Sequence, residues 1–297
     1  MAELSGVIPA MFTAFDDDGE VSPERLRRVI AAILEQGVQG LFVCGSTGEG
    51  ILMSPEERER VAEITVAEVA HQVPVMVHVG AAATRDSLRL ARHAARIGAD
   101  AVSSIPPFYY NPGMEGILDH YRLLGEATDL PLYIYYIPHL TGSVLDPSRL
   151  EEFLAIPNLA GLKFTDTNLF LMRNLIDLSG GRLRILSGPD EMHLPCLTMG
   201  AVGAIGTSYN YMARPFLRLR AAYQRGDLET AQELQYRSNA IIRALLQYGG
   251  LPAAKEIMRR IGANPGPARR PFRPLTEEQR RGLHAALDAA GFEELIA

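Results

Sequence analysis

An alternation between short apolar runs and amphipathic segments, repeated eight times, constrains this chain more than any other feature. The runs cover residues 7–10, 40–44, 74–79, 101–105, 131–137, 159–164, 184–187 and 201–206. They are rich in Val, Ile, Leu and Tyr, and most are continuous rather than alternating, as strands buried on both faces require. Three of the segments between them open on a capping side chain followed by proline: Ser22-Pro23, Ser54-Pro55 and Asp146-Pro147. That pairing marks a helix start. Strands separated by helices pair in parallel through right-handed crossovers. Eight such units match a (β/α)₈ TIM barrel better than a doubly wound sheet. Beyond residue 225 only helical periodicity remains, broken at Gly249-Gly250 and by a Pro-rich stretch over 264–274. The expected α/β organisation is a (β/α)₈ catalytic barrel over 1–225 with an appended C-terminal helical bundle over 226–297, not an independent domain.

Composition narrows the function. The 297 residues are 47% hydrophobic and 22% charged, ordinary for a soluble globular protein. A formal charge of -6 leaves no basic footprint for nucleic acid and no polybasic membrane patch. No apolar run reaches the roughly 18 residues of a membrane span. The first residues lack the basic start, apolar stretch and cleavage site of a signal peptide, so a cytoplasmic protein is expected. Cys44 and Cys196 sit in apolar surroundings and suggest no disulfide framework. The seven histidines are scattered without metal-ligand spacing, and no metal is expected.

One oddity bears on chemistry. Of 29 basic residues only two are lysine, Lys163 and Lys255. Arginine stays protonated, whereas a lysine amine can lose its proton and become a nucleophile, so positions that arginine cannot fill stand out. Lys163 ends the sixth apolar run, where burial disfavours a charged amine. A lysine neutralised by a buried carboxylate is the alternative there. Lys255 lies mid-helix beside Glu256 and reads as a surface or interface cation.

In a (β/α)₈ barrel the chemistry gathers at the C-terminal ends of the strands. Ser46 and Thr47 follow the second run, Tyr109 the fourth, and Tyr135 lies at the end of the fifth. Lys163 ends the sixth, Asp190 and Glu191 follow the seventh, and Thr207 the eighth. The turn Gly45-Ser46-Thr47-Gly48-Glu49-Gly50 could hold a carboxylate or phosphate on its NH groups and hydroxyls. It is neither a Walker loop nor a dinucleotide fingerprint, and a tight turn capped by Ser and Thr fits it equally well. Tyr133, Tyr135 and Tyr136 crowd one strand, so at least one hydroxyl should meet a polar site. His78, within a strand, reads as a satisfied core or near-site residue.

Four motifs together carry a family resemblance: Gly45-Ser-Thr-Gly-Glu49, Pro107-Phe-Tyr-Tyr110, Tyr135-Tyr-Ile-Pro138 with Thr141-Gly142, and Gly161-Leu-Lys-Phe-Thr165. Over essentially its whole length the chain resembles the dihydrodipicolinate synthase/N-acetylneuraminate lyase family of pyruvate-dependent class I aldolases. The resemblance implies that Lys163 forms the Schiff base and that Tyr135 shuttles protons. It implies that Thr47, with backbone NH groups around Gly48, holds the pyruvate carboxylate. Ser46 would link Tyr135 to a second tyrosine, Tyr109, which in the family comes from a neighbouring subunit of a homotetramer built as a pair of tight dimers. No cofactor is implied.

Within the family, the synthases carry an arginine two residues after the proline of Tyr-x-x-Pro, where it grips the aldehyde's carboxylate. Leu140 stands there, and losing a bidentate clamp costs several kcal/mol. Gly188-Pro-Asp190-Glu191 resembles the sialic acid lyases, and adjacent carboxylates can accept hydrogen bonds from a polyhydroxylated tail. A helix N-terminal charge is the plainer reading of the same pair. Gly206-Thr207-Ser208-Tyr-Asn210 resembles the lyases' eighth-strand motif, which more often reads Gly-Ser-Thr-Tyr-Asn; a hydroxyl survives at Thr207, and Thr165 matches the lyase pattern. The leading expectation is reversible cleavage of N-acetylneuraminate to N-acetylmannosamine and pyruvate. An aldolase or dehydratase for another 2-keto-3-deoxy sugar acid, a synthase-like condensation, and a barrel that only binds a 2-oxo acid remain as alternatives.

Overall fold

Each of the eight apolar runs forms a strand in the computed structural model, which describes residues 4–297. Residues 1–3, the start of the N-terminal stretch and of the expected barrel segment, lie outside the described residues. The strands are β1 (Gly6–Pro9), β2 (Leu41–Val43), β3 (Val75–His78), β4 (Ala101–Ser104), β5 (Leu132–Tyr136), β6 (Leu159–Phe164), β7 (Arg184–Ser187) and β8 (Gly203–Gly206). They pair in parallel in the order β1-β8-β7-β6-β5-β4-β3-β2. A parallel bridge between Ala10 and Phe42 brings β2 back to β1, with the Met11 amide donating to the Phe42 carbonyl at 2.8 Å. The sheet is thereby closed into a barrel.

Side chains alternate between the two sides of this wall. Ile8, Phe42, Met76, Tyr133, Tyr135, Leu186 and Ile205 fill the interior. Val7, Leu41, Val75, Val77, Leu132, Ile134, Leu162 and Phe164 face the helical shell. Burial on both sides, at about 1.5–3 kcal/mol per large apolar side chain, is why the runs are continuous in sequence.

The ladder between β5 and β6 is irregular at one step. Leu132 pairs with Leu159, but Tyr133 pairs with Gly161, so β6 carries one extra residue there. From that point Tyr135 is opposite Lys163 and Tyr136 opposite Phe164. Leu159 packs toward the shell. In an unbroken ladder Lys163, four residues on, would face the shell too. The bulge turns it into the barrel.

The helix-start signals behave as capping chemistry predicts, with one shortened outcome. Ser22 accepts from the Arg25 amide at 3.4 Å to open helix Pro23–Leu34. Ser54 and Glu57 form a reciprocal capping box at the start of helix Pro55–Val69. Asp146 caps only a single 3₁₀ turn, Pro147–Arg149, which runs into the short helix Leu150–Leu154.

The C-terminal extension consists of helices Leu228–Gln247, Leu251–Arg260, Glu277–Ala289 and Phe292–Ile296. The first packs along helix Tyr209–Gln224, which follows β8. Ile241, Ile257, Leu283 and Phe292 belong to the same core as the outer face of the barrel. Among the described residues no helix is long and apolar enough to cross a membrane.

The reading of Lys255 as a surface cation is corrected here. Lys255 is 2% exposed, and its ammonium forms an ion pair with the buried Glu49. Glu256, the neighbour in sequence, turns elsewhere, to Arg259 at 2.7 Å and His284 at 3.1 Å. Successive helical residues point about 100° apart, so adjacency in sequence says little about pairing.

Candidate active site

The inner ends of β5 and β6 carry the centre of the site. Lys163 is 3% exposed, and its Nζ lies 4.0 Å from the Tyr135 ring centroid and 4.3 Å from that of Phe42. No carboxylate pairs with it among the described residues, whereas the carboxylate-neutralised lysine of this chain is Lys255. His78 on β3 stands edge-on to both aromatic rings, at 6.0 Å from Phe42 and 5.7 Å from Tyr135. Tyr136 faces outward, stacked at 5.1 Å on Phe164, and burial with the Asp166 charge pushes its phenol up to about 12. Tyr135 turns its hydroxyl to Ser46 at the mouth, 3.4 Å away.

His78 is held neutral. Burial, reinforced by the charges of Arg58 and Lys163, takes its imidazole well below the usual range. The Ile105 amide approaches Nε2 at 3.4 Å, leaving the Nδ1 hydrogen for the Cys44 carbonyl at 3.1 Å. Arg58 donates to the carbonyls of His78 and Gly80. The buried network therefore supports the strand-to-turn junction at Cys44 from beneath. Burial also raises the Cys44 and Cys196 thiols to about 11, and both cysteines are free.

Above that junction the turn presents its hydroxyls. Ser46 Oγ and Tyr135 Oη lie 3.4 Å apart, and Thr47 Oγ1 meets Thr207 Oγ1 at 2.6 Å. The Gly48 carbonyl accepts from the Thr13 hydroxyl at 2.6 Å, which ties the turn to the end of β1. Asn210 closes the seam between β1 and β8: it accepts from Phe12 N and donates to the carbonyls of Ala10 and Thr207. Four strands thus bring Ser46, Thr47, Tyr135, Lys163 and Thr207 to one mouth.

A cleft of about 560 Å³ opens from this mouth, lined by His139, Thr165, Asp166, Asp190, Glu191 and Thr207 on one side and Ile242, Leu245 and Leu246 of the extension on the other. Asp190 and Glu191, adjacent in sequence, diverge. Glu191 is exposed at the rim, while Asp190 is buried and its Oδ2 accepts from Ser208 N at 2.8 Å and Ser208 Oγ at 2.6 Å. Its Oδ1 has no partner and lies over Gly206, where a Cβ would stand 1.4 Å away. Thr165 likewise lies over Gly188, where a Cβ would meet its hydroxyl at 1.9 Å, and that hydroxyl too is unpartnered. Burial raises the Asp190 carboxyl to about 6; the Ser208 hydrogen bonds oppose the shift, the Glu191 charge adds to it, and the Lys163 charge opposes it.

Two expected residues stand apart. Tyr109 is 87% exposed, in the left-handed region (φ 77°), with its ring against Tyr110 and no contact to Ser46 within the chain. Leu140 is 62% exposed on the single turn Pro138–Thr141; Pro138 and His139 line the cleft, and Leu140 does not. His78 is the near-site residue that its place within a strand suggested. Phe42, Asn210 and Ser208 lie outside the strand-end set, and the continuous run 40–44 carries no mark that separates Phe42 from its neighbours. A larger hollow of about 760 Å³ lies beside Pro131 and Leu159, where β5 and β6 begin, and none of the strand-end residues lines it. Chemistry in such barrels belongs to the other end.

Barrel and site together define a class: a (β/α)₈ barrel with an unpaired lysine buried at a strand end beside a tyrosine. The profile of the Dihydrodipicolinate synthetase family matches residues 3–290. The chain belongs to that family. It is 35% identical over 285 residues to the N-acetylneuraminate lyase of Rhizobium meliloti (strain 1021), covering 96% of this chain and 95% of that protein. It is 34% identical over 284 residues to the 4-hydroxy-tetrahydrodipicolinate synthase of Methanothrix thermoacetophila, with 95% of each covered. In fold it matches a catalytic lysine mutant of Ruminococcus gnavus sialic acid aldolase with a TM-score of 0.95, 30% identity and complete coverage of both chains.

Proposed function

We propose that the protein is a Schiff-base lyase that reversibly cleaves N-acetylneuraminate to N-acetylmannosamine and pyruvate. The observation that carries the reading is Lys163: buried, without a carboxylate partner, and paired in register with Tyr135. In this reading the neutral amine adds to the C2 carbonyl of the 2-oxo acid and water leaves, giving a protonated imine. The imine accepts the electron pair of the C3–C4 bond as it breaks. Tyr135 takes the proton of the C4 hydroxyl, so the aldehyde departs and an enamine remains. Protonation at C3 and hydrolysis of the imine release pyruvate and restore Lys163. Ser46, 3.4 Å from Tyr135, relays the proton to and from the phenol. Thr47 and the turn amides near Gly48 bind the carboxylate. Gly188 and Gly206 make room for Thr165 and Asp190, which face the hydroxylated tail with Glu191 and Thr207.

The proposal includes a cytoplasmic homotetramer of paired dimers, in which a neighbouring copy supplies Tyr109 to the relay. The 87% exposure of Tyr109 in its own chain supports this. It treats residues 1–225 as the catalytic barrel and 226–297 as its helical extension. The Ser46–Tyr135 link speaks against a barrel that only binds a 2-oxo acid, since binding needs no proton relay.

A second reading is an aldolase or dehydratase for another 2-keto-3-deoxy sugar acid, favoured by the apolar rim of Ile242, Leu245 and Leu246 facing the carboxylates. Borohydride trapping with pyruvate, read by intact mass, tests the imine, and a pyruvate-release assay across a sugar-acid panel tests the substrate. An untrapped Lys163 sinks both readings. Release from a ketodeoxy aldonate but not from N-acetylneuraminate selects the second.

A further inference from the structure

Lys255 is the apex of a buried tripod. Its Nζ lies 2.5 Å from Glu49 Oε1 and donates to the carbonyls of Thr13 and Pro267, each at 3.0 Å. Two of its three protons go to those carbonyls, and the carboxylate meets the ammonium as a close ion pair. The Phe15 ring covers it at 4.6 Å. The second Glu49 oxygen accepts from the Arg269 backbone amide at 2.6 Å.

The feet of the tripod stand on the Ser46-Thr47 turn and on what braces it. Glu49 belongs to the turn: its amide donates to the Ser46 carbonyl at 3.1 Å, and its own backbone is left-handed at φ 56°. That conformation is uncommon for a residue with a side chain and needs outside support. Thr13 holds the same turn through Gly48. Pro267 and Arg269 lie on the segment after helix Leu251–Arg260, and the Arg269 side chain reaches the carbonyls of Gly19 and Leu52.

We propose that Lys255, acting through Glu49, is a positioning residue that ties the C-terminal extension to the turn presenting Ser46 and Thr47. The extension then fixes those hydroxyls against Tyr135 and Thr207. This rests on the reading of Ser46 and Thr47 as part of the 2-oxo acid site. It also gives the second lysine a reason to persist among 27 arginines. Three acceptors converging on one point fit a compact ammonium, while a planar guanidinium forks its donors and cannot close the same tripod. Stability alone gives little reason for such a pair, since well-packed apolar residues in place of a buried ion pair are often as stable.

The test uses the full chain, the double variant Glu49→Gln/Lys255→Met and the single variant Lys255→Arg. Removing both charges leaves neither buried alone, so the double variant is expected to keep a urea midpoint near the parent's. It should nevertheless need about tenfold more pyruvate for half-maximal borohydride trapping, as expected of a misplaced binding group. Backbone deuterium exchange should quicken over residues 46–49. Lys255→Arg, though charged, should show the same loss. Parental pyruvate dependence and parental exchange in the double variant would overturn the proposal, as would full rescue by arginine. If the parent chain itself cannot be trapped, the lyase reading falls, and exchange over 46–49 still decides whether Lys255 holds the turn.

Discussion

Replacing Asp190 by Asn should change the pH dependence of stability in a direction opposite to that of most carboxylates. Burial raises this carboxyl from 3.8 to about 6 in the folded protein. The folded state therefore holds the proton more tightly than the unfolded chain between those two values, and stability falls as pH rises through that window. The gap is worth about 3 kcal/mol at 1.36 kcal/mol per pH unit, fully lost once the group is ionised. Asparagine does not ionise. Any cost of its extra amide donor is the same at every pH and cancels in the comparison. Urea unfolding of parent and Asp190→Asn from pH 4 to pH 8 should show the variant gaining on the parent by about 2–3 kcal/mol, most of it below pH 7. The same group should appear in catalysis. Asp190 lines the cleft and its carboxylate is a stronger acceptor than the neutral acid, so KM for the sugar acid should rise below pH 6 in the parent as the group gains its proton. Pyruvate trapping, which does not use Asp190, should not follow it. Parallel stability curves for the two proteins would refute the assignment, because they require an ordinary carboxyl at 190.

Gly206→Ala drives a methyl onto Asp190 Oδ1. It should cost about 1–3 kcal/mol of stability by urea unfolding and raise KM for the sugar acid while leaving pyruvate trapping intact. Ser46→Ala breaks the hydroxyl link to Tyr135 and should lower kcat about a hundredfold with a smaller effect on the half-saturating pyruvate concentration. Lys163→Arg should keep the fold by circular dichroism and lose the pyruvate adduct in intact-mass spectra.

The strands were legible because burial on both faces writes itself as continuous apolar sequence. That same continuity hides parity. In residues 40–44 nothing distinguishes Phe42, which faces Lys163 inside the barrel, from Leu41 and Val43, which face the shell. Strand ends were legible as well, since polar residues interrupt the runs there, and Ser46, Thr47, Tyr135, Lys163 and Thr207 do converge. Pairings between distant segments were not. Lys255 has a carboxylate next to it in sequence and uses another, Glu49, from the far side of the fold. Asp190 and Glu191 look equivalent on paper, yet one meets Ser208 in the interior and the other meets solvent.

The extra residue in β6 means that the site depends on a count as well as on identities. Removing that residue would leave Lys163 three places after Leu159, and a regular ladder would then still turn it into the barrel. Straightening the ladder at its present length would instead put Lys163 among the helices and Phe164 in the barrel. When relatives of this chain are aligned, a one-residue gap in that stretch therefore marks loss of the bulge and leaves the amine on the same side of the wall.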